Sequence, residues 1–277
     1  MIKVVTDSSS DLSPEIAAEL GITVVPLYIR FGDEIYREHI TITLEEFYQR
    51  LVSGGVHPVT IQPSPGDFIS TFEKTAQGAD GIVSIHISSK MSGTYNSALQ
   101  AKGLANVSCP IEVIDSQMVS VALGAIVVAA AEAANRGGSM QDVLQATREA
   151  IAKTRPVCLL DTLKYLQLGG RIAKAEALLG TMLNIKPIIT LKEGEVVPYG
   201  RVRSRQKGLE QLTSFVENNG NLDDVLISYA TTADDARALA ERFTPALNGK
   251  QVRYMRLGTV MGVHVGPGSI VVALREK

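Results

Sequence analysis

The opening stretch MIKVVTDSSSDLSPEIAAELGITVVP, residues 1–26, carries the fold class in miniature. A β-branched run at 2–6 reads as a strand. Hydroxyl and acidic residues follow, and then Ser13 with Pro14 marks a helix start, because Ser caps free N–H groups and Pro suits the first helical position. A second apolar run at 23–26 returns the chain to a strand. Strand, helix, strand is the repeating unit of a parallel sheet.

The same alternation continues outward from this unit. Strands are expected at 81–87, 111–114, 157–160, 187–191, 225–229, 252–255 and 269–274. Thr43-Leu44-Glu45-Glu46 has the form of a capping box, Gly137-Gly138 ends a long Ala-rich helix, and Asn219-Gly220 ends one opened near Ser204. The most apolar run, 121–131, has about half the ~20 residues a membrane span needs and stops at Glu132, so it reads as a buried helix. Residues 192–195 read as a hairpin turn that adds an antiparallel element. The fold class is therefore α/β with two domains divided at Arg155-Pro156: 1–155 around a mainly parallel sheet and 156–277 around a mixed one.

Charge and composition narrow the function. A net charge of −2, from 27 basic and 29 acidic residues, gives no global field for nucleic acid or an anionic membrane. Aromatics make up 5% with no Trp, so an internal cavity must be walled by Leu, Ile, Val and Met, which suits flexible aliphatic ligands. Cys109 and Cys158 have no metal or redox spacing and read as core thiols. Neither a P-loop nor a dinucleotide-binding glycine pattern occurs. The short N-terminal apolar run does not form a signal peptide, and the expected location is cytoplasmic.

Three hydroxyl-rich segments, 6–12, 87–95 and 114–117, follow expected strands, where an open α/β sheet has its ligand crevice. Ser92-Gly93-Thr94 starts a helix running to about Leu104; its free N–H groups suit an anion, and the plainer reading is that Ser92 only caps it. Thr60 opens the turn TIQPSPGD, where it either donates to a ligand or satisfies a neighbouring carbonyl. His264 lies in GTVMGVHVGPG, residues 258–268, read as a glycine-rich loop before the last strand; it is either a desolvated donor or a core histidine. Arg201, Arg203 and Arg205 alternate into a basic stripe, and Arg171 follows two glycines. A solvated face is the default for such charges, with partner docking behind it. A serine-dependent acyl hydrolase would use the same residues, with Ser92 as nucleophile, His264 as base and Asp7 or Asp115 as orienter, but the G-x-S-x-G elbow is missing.

Six segments in order, TDSSSDL (6–12), TIQPSP (60–65), SGTYNSA (92–98), VIDS (113–116), LGGRI (168–172) and HVGPG (264–268), resemble the DegV family along essentially the whole chain. The resemblance implies two α/β domains and a tunnel holding a long-chain fatty acid, such as a C16 or C18 acid. Thr60, Ser92 and His264, with the backbone around Gly93 and Thr94, match the family's carboxylate-binding groups. It implies no catalytic residue, no metal and no cofactor beyond the acid itself. In fatty-acid-kinase systems such a protein presents the acid to a separate kinase that phosphorylates it with ATP, and then carries the acyl phosphate. Arg171, Arg203 and Arg201 would face that kinase, and peripheral membrane contact would accompany acyl exchange. An arginine-free pocket would keep the carboxylate nucleophilic. Ile61 departs from the family pattern, where Ser often follows the Thr.

Overall fold

The computed structural model describes residues 1–178, 185–247 and 250–277. The chain begins with β1 (Ile2–Asp7), α1 (Pro14–Leu20) and β2 (Ile22–Val25), the unit read from the opening stretch. Ser13 Oγ accepts from Ile16 N at 3.3 Å to cap α1. Next come β3 (Tyr28–Phe31), β4 (Glu34–Arg37), α2 (Leu44–Ser53) and β5 (Val59–Ile61). Then α3 (Pro65–Thr75), β6 (Gly81–His86), α4 (Thr94–Leu104), β7 (Ile111–Asp115), α5 (Val121–Asn135) and α6 (Met140–Lys153) complete the first half. The second half runs β8 (Thr154–Leu159), α7 (Lys164–Leu168), β9 (Lys186–Lys192), β10 (Glu195–Val202), α8 (Arg205–Glu217) and β11 (Leu222–Tyr229). It ends with α9 (Ala233–Phe243), β12 (Arg253–Arg256), α10 (Thr259–Val265) and β13 (Ile270–Glu276).

The first sheet, in the order β2-β1-β6-β7, is parallel throughout. The second, β10-β9-β8-β13-β11-β12, is mixed: β11 and β12 run parallel and the other neighbours antiparallel. All nine expected strands form, within about three residues at either end. The division expected at 155/156 falls inside β8, where Arg155 pairs with Leu274.

Period-2 alternation sorts the side chains into layers. Val5 and Ile82 face Phe68 and Phe72 of α3, whereas Val4, Val83 and Ile85 face α5. In the second sheet Cys158, Ile189 and Val271 face α5, and Val157, Ile188 and Val272 face α8 and α9. α5 is the shared middle layer, with Leu123, Ile126 and Val127 fully buried. Helix amphipathicity is lost in such a position, which is why 121–131 is apolar all round. Among the described residues, no helix is long and apolar enough to cross a membrane.

Four local expectations need correction. The antiparallel sheet β4-β3-β5 was not read from the sequence, and Thr60 lies on its strand β5 instead of in a turn. Residues 258–268 are not a loop: most form α10. Thr43 caps α2 by accepting from Glu46 N at 3.2 Å, but Glu46 pairs with Arg50 at 3.7 Å instead of closing the capping box. After α8 the left-handed residue is Asn221, at φ 61°, not Asn219 or Gly220.

Candidate functional site

A cavity opens where the end of β6 and the loop after it meet the α5-facing side of the second sheet, with α10 as its roof. Ile87, Met91 and Val119 come from the first half; Cys158, Ile189 and Leu191 come from β8 and β9; Met261 and Val265 descend from α10. No Phe, Tyr or Trp ring lines it among the described residues. Composition anticipated this wall. The individual positions were not anticipated, although alternation along β8 and β9 carried the signal.

Thr60, Ser92, His264 and Arg171 also line the cavity, each from a separate element. Antiparallel pairing of β5 with β3 sets Thr60 opposite buried Ile29, so the Thr60 side chain turns inward while Val59 and Ile61 point out. Thr60 Oγ1 meets His264 Nε2 at 3.1 Å. The other ring nitrogen, Nδ1, is buried without a partner. It lies so close to Gly169 that a Cβ there would come within 2.2 Å. An unsatisfied lone pair is tolerated better than an unsatisfied N–H, so the proton belongs on Nε2, which donates to Thr60 Oγ1 and frees the Thr60 O–H to turn toward a ligand.

His264 stays neutral. Burial above all, then the nearby Arg171 guanidinium and His57, push its pKa down to about 3. The imidazole therefore acts as a hydrogen-bond donor and not as a countercharge.

Ser92 lies just before α4. Its Oγ accepts from Thr94 N at 3.3 Å and lies 2.8 Å from Thr94 Oγ1, and it also lines the cavity, so capping and ligand contact are compatible roles. Gly93 and Thr94 stand behind it. Gly93 lets residues 60–67 approach α4, since a Cβ there would meet the Gln62 side chain at 2.2 Å, while Thr94 is fully buried.

Arg171 departs from the expectation of an arginine-free pocket. It is exposed, yet it lines the mouth, held by Nη1 donating to Gly169 O at 2.8 Å and Nε to Met91 O at 3.3 Å. Arg201 and Arg203 are exposed near the end of β10. Arg205 leaves the stripe: it donates to Asp235 at 2.6 Å and to Gly268 O at 2.7 Å, tying α8 to the loop before β13.

The other hydroxyl-rich segments serve the fold. Asp7 accepts from His86 Nδ1 at 2.9 Å and from Ile87 N at 3.1 Å, and it holds Ser9; His86 Nε2 meets Ser84 Oγ at 2.6 Å. Asp115 accepts from Ser89 Oγ at 2.5 Å. Neither carboxylate is left to orient His264, which removes the third member of a hydrolase triad. Among the described residues, no cluster of three or more His, Cys, Asp or Glu side chains is placed to hold a metal ion.

The family model of DegV, a group described as uncharacterised proteins, matches residues 1–277. A DegV domain-containing protein from Deinococcus radiodurans is 34% identical, over 99% of this chain and 98% of its own. Among solved structures, one described as the fatty acid binding of a DegV family protein from Thermus thermophilus has a TM-score of 0.90 at 34% identity, covering 100% of this chain and 99% of its own. A stearic acid-binding protein from Eubacterium ventriosum gives 0.88 at 30% identity with the same coverage.

Proposed function

The chain belongs to the DegV family, and we propose that it captures a long-chain fatty acid, with the tail in the aliphatic cavity and the carboxylate on Thr60, Ser92 and His264. The observation that carries this reading is the cavity's composition: aliphatic walls meet the neutral hydroxyls of Thr60 and Ser92, with neutral His264 donating to Thr60 and Arg171 at the mouth. Burying ~14 methylenes at ~0.8 kcal/mol each gives a gross gain of about 11 kcal/mol, which exceeds several kcal/mol of lost freedom. The tail supplies affinity and the donors supply orientation. Relatives from Thermus thermophilus and Eubacterium ventriosum, described as binding fatty acid and stearic acid, support a C16 or C18 acid as the ligand.

By this proposal the chain itself performs no reaction. A carboxylate held by neutral donors keeps a lone pair for attack on the γ-phosphorus of ATP bound to a separate fatty acid kinase; the new C(O)O–P bond forms as ADP leaves, and the chain then carries the acyl phosphate. Arg171 at the mouth, with Arg201 and Arg203, faces the kinase. The carrier works in the cytoplasm, where ATP is supplied, and touches a membrane peripherally during acyl exchange.

The test is mass spectrometry of organic extracts from purified protein, with an unrelated protein as control. About one equivalent of C16 or C18 acid is expected. An empty extract, together with no thermal stabilisation by added palmitic acid, would overturn the reading. The kinase step is tested by ADP release from a purified fatty acid kinase with ATP: Arg201→Glu should slow turnover while acid affinity holds.

A further inference from the structure

The helix carrying His264 has no local cap. Its N-cap is Gly258, and its first turn, Thr259-Val260-Met261, contains no acid. Two buried carboxylates from distant parts of the chain take that place. Asp11 Oδ1 accepts from Gly258 N at 2.9 Å; Glu38 Oε1 accepts from Val260 N at 2.8 Å and from Thr259 Oγ1 at 2.9 Å. The two acids converge: a Cβ on Gly258 would lie 2.6 Å from Glu38 Oε1 and 2.9 Å from Asp11 Oδ1. Glu38 Oε2 is buried without a partner. One carboxylate satisfies the dipole of so short a helix, so a second buried acid beside it calls for another explanation.

The cluster also reaches the cavity. Ser120, one of the lining residues, donates to Asp11 Oδ2 and lies 3.0 Å from Ser228 Oγ of β11. Ser120 is held at φ 58°, a region that L residues rarely occupy. Such strain persists only where surrounding contacts enforce it.

We propose that Asp11 and Glu38 are positioning residues for ligand capture: together they anchor the first turn of α10 and so hold His264 against Thr60 at the head-group end of the cavity. This rests on the fatty-acid reading for its ligand, but the anchor itself exists without one. Two acids at this separation favour a state in which one keeps its proton. Burial first, with Glu38 adding to it, pushes the Asp11 carboxyl from 3.8 up to about 7, against the hydrogen bonds from Ser120 and Gly258. Tyr48 faces the pair and donates to Leu257 O at 3.1 Å; its hydroxyl is pushed well up by burial and by Asp11. Arg256, over the Tyr48 ring and paired with Glu45, is the cation on that side. Folding therefore holds a proton that the unfolded chain gives up above about 3.8. The resulting stability is lost as pH rises through about 7, and the anchor loosens in the same window.

The test combines amide exchange of ligand-free protein with palmitic acid binding from pH 5 to 8. Glu38→Ala should speed exchange at residues 260–264 and weaken palmitic acid roughly 10-fold, and Glu38→Gln, which keeps the acceptor oxygen, should restore both. Asp11→Asn should flatten the change in affinity near pH 7. If Glu38→Ala does not fold, Thr259→Val serves, with a loss of about threefold. Wild-type affinity and exchange at α10 in the folded variants, with an unaltered pH profile, would overturn the proposal. Failure of the wild-type chain to bind palmitic acid would sink the ligand reading alone, because exchange at α10 reports the anchor without ligand.

Discussion

His86 and His264 are both enclosed imidazoles beside a hydroxyl, and they differ in one partner. His86 lies between Ser84 and Asp7, and the Asp7 carboxylate also takes the Ile87 amide and Ser9. His264 has Thr60 on one side and, among the described residues, no carboxylate within hydrogen-bonding distance. The first cluster is closed and fully buried; the second opens on an aliphatic cavity. The same residue types build a structural knot where the chain supplies its own carboxylate, and an open cluster, the binding site of our proposal, where it does not.

The comparison breaks most sharply if the second cluster is given its own acid. Ser92→Asp would repel an incoming carboxylate and should weaken palmitic acid binding roughly 100-fold or more by calorimetry, while raising the His264 pKa, visible by NMR titration. The converse acts on stability and is of comparable size. Asp7→Ala strips four donors, on Ser9, His86 and Ile87, of their acceptor in the core and should cost about 3 to 5 kcal/mol in denaturant unfolding, with palmitic acid affinity of the folded protein unchanged. Ser92→Ala, which only removes a donor, should cost about 1.5 to 3 kcal/mol of binding, or roughly 10 to 150-fold.

The remaining effect is in pH and shows only on the acid side. His264 is depressed to about 3 from 6.5, so the unfolded chain takes up a proton that the folded chain refuses. Its contribution to stability is present above pH 6.5 and is lost as pH falls toward 3. His264→Asn should remove that part of the acid-side decline in thermal melts. A titration of ligand affinity centred near pH 6.5 and removed by His264→Asn would contradict a neutral imidazole.

Where the sequence was legible, the signals were local. The β1-α1-β2 unit declares itself through a β-branched run, a Ser-Pro helix start and a second run, and the turn at 192–195 through Glu193 and Gly194, both in left-handed conformation. The helix after Ser92 was likewise readable and ends at Leu104 as expected. α10 was not, because its capping groups are Asp11 and Glu38, more than two hundred residues away in the chain. The sheet β4-β3-β5 was missed for a related reason: its strands have three or four residues each and are fixed by packing Ile29 and Phe31 onto Phe47 and Val263. Thr60, Ser92 and His264 came from a family resemblance, and all three line the same cavity. Residue type alone did not separate them from Asp7, Ser84 and His86, which only three-dimensional partners reveal as closed.

The most direct measurement is carbon-13 NMR of palmitic acid labelled at its carboxyl carbon and bound to the wild-type and Ser92→Ala proteins. The account predicts a single bound resonance, ionised at neutral pH and held ionised below the usual carboxylate range by its donors, that shifts toward the ordinary value in Ser92→Ala. A bound resonance with an ordinary titration, indifferent to Ser92, would place the carboxylate elsewhere and contradict the reading of the open cluster.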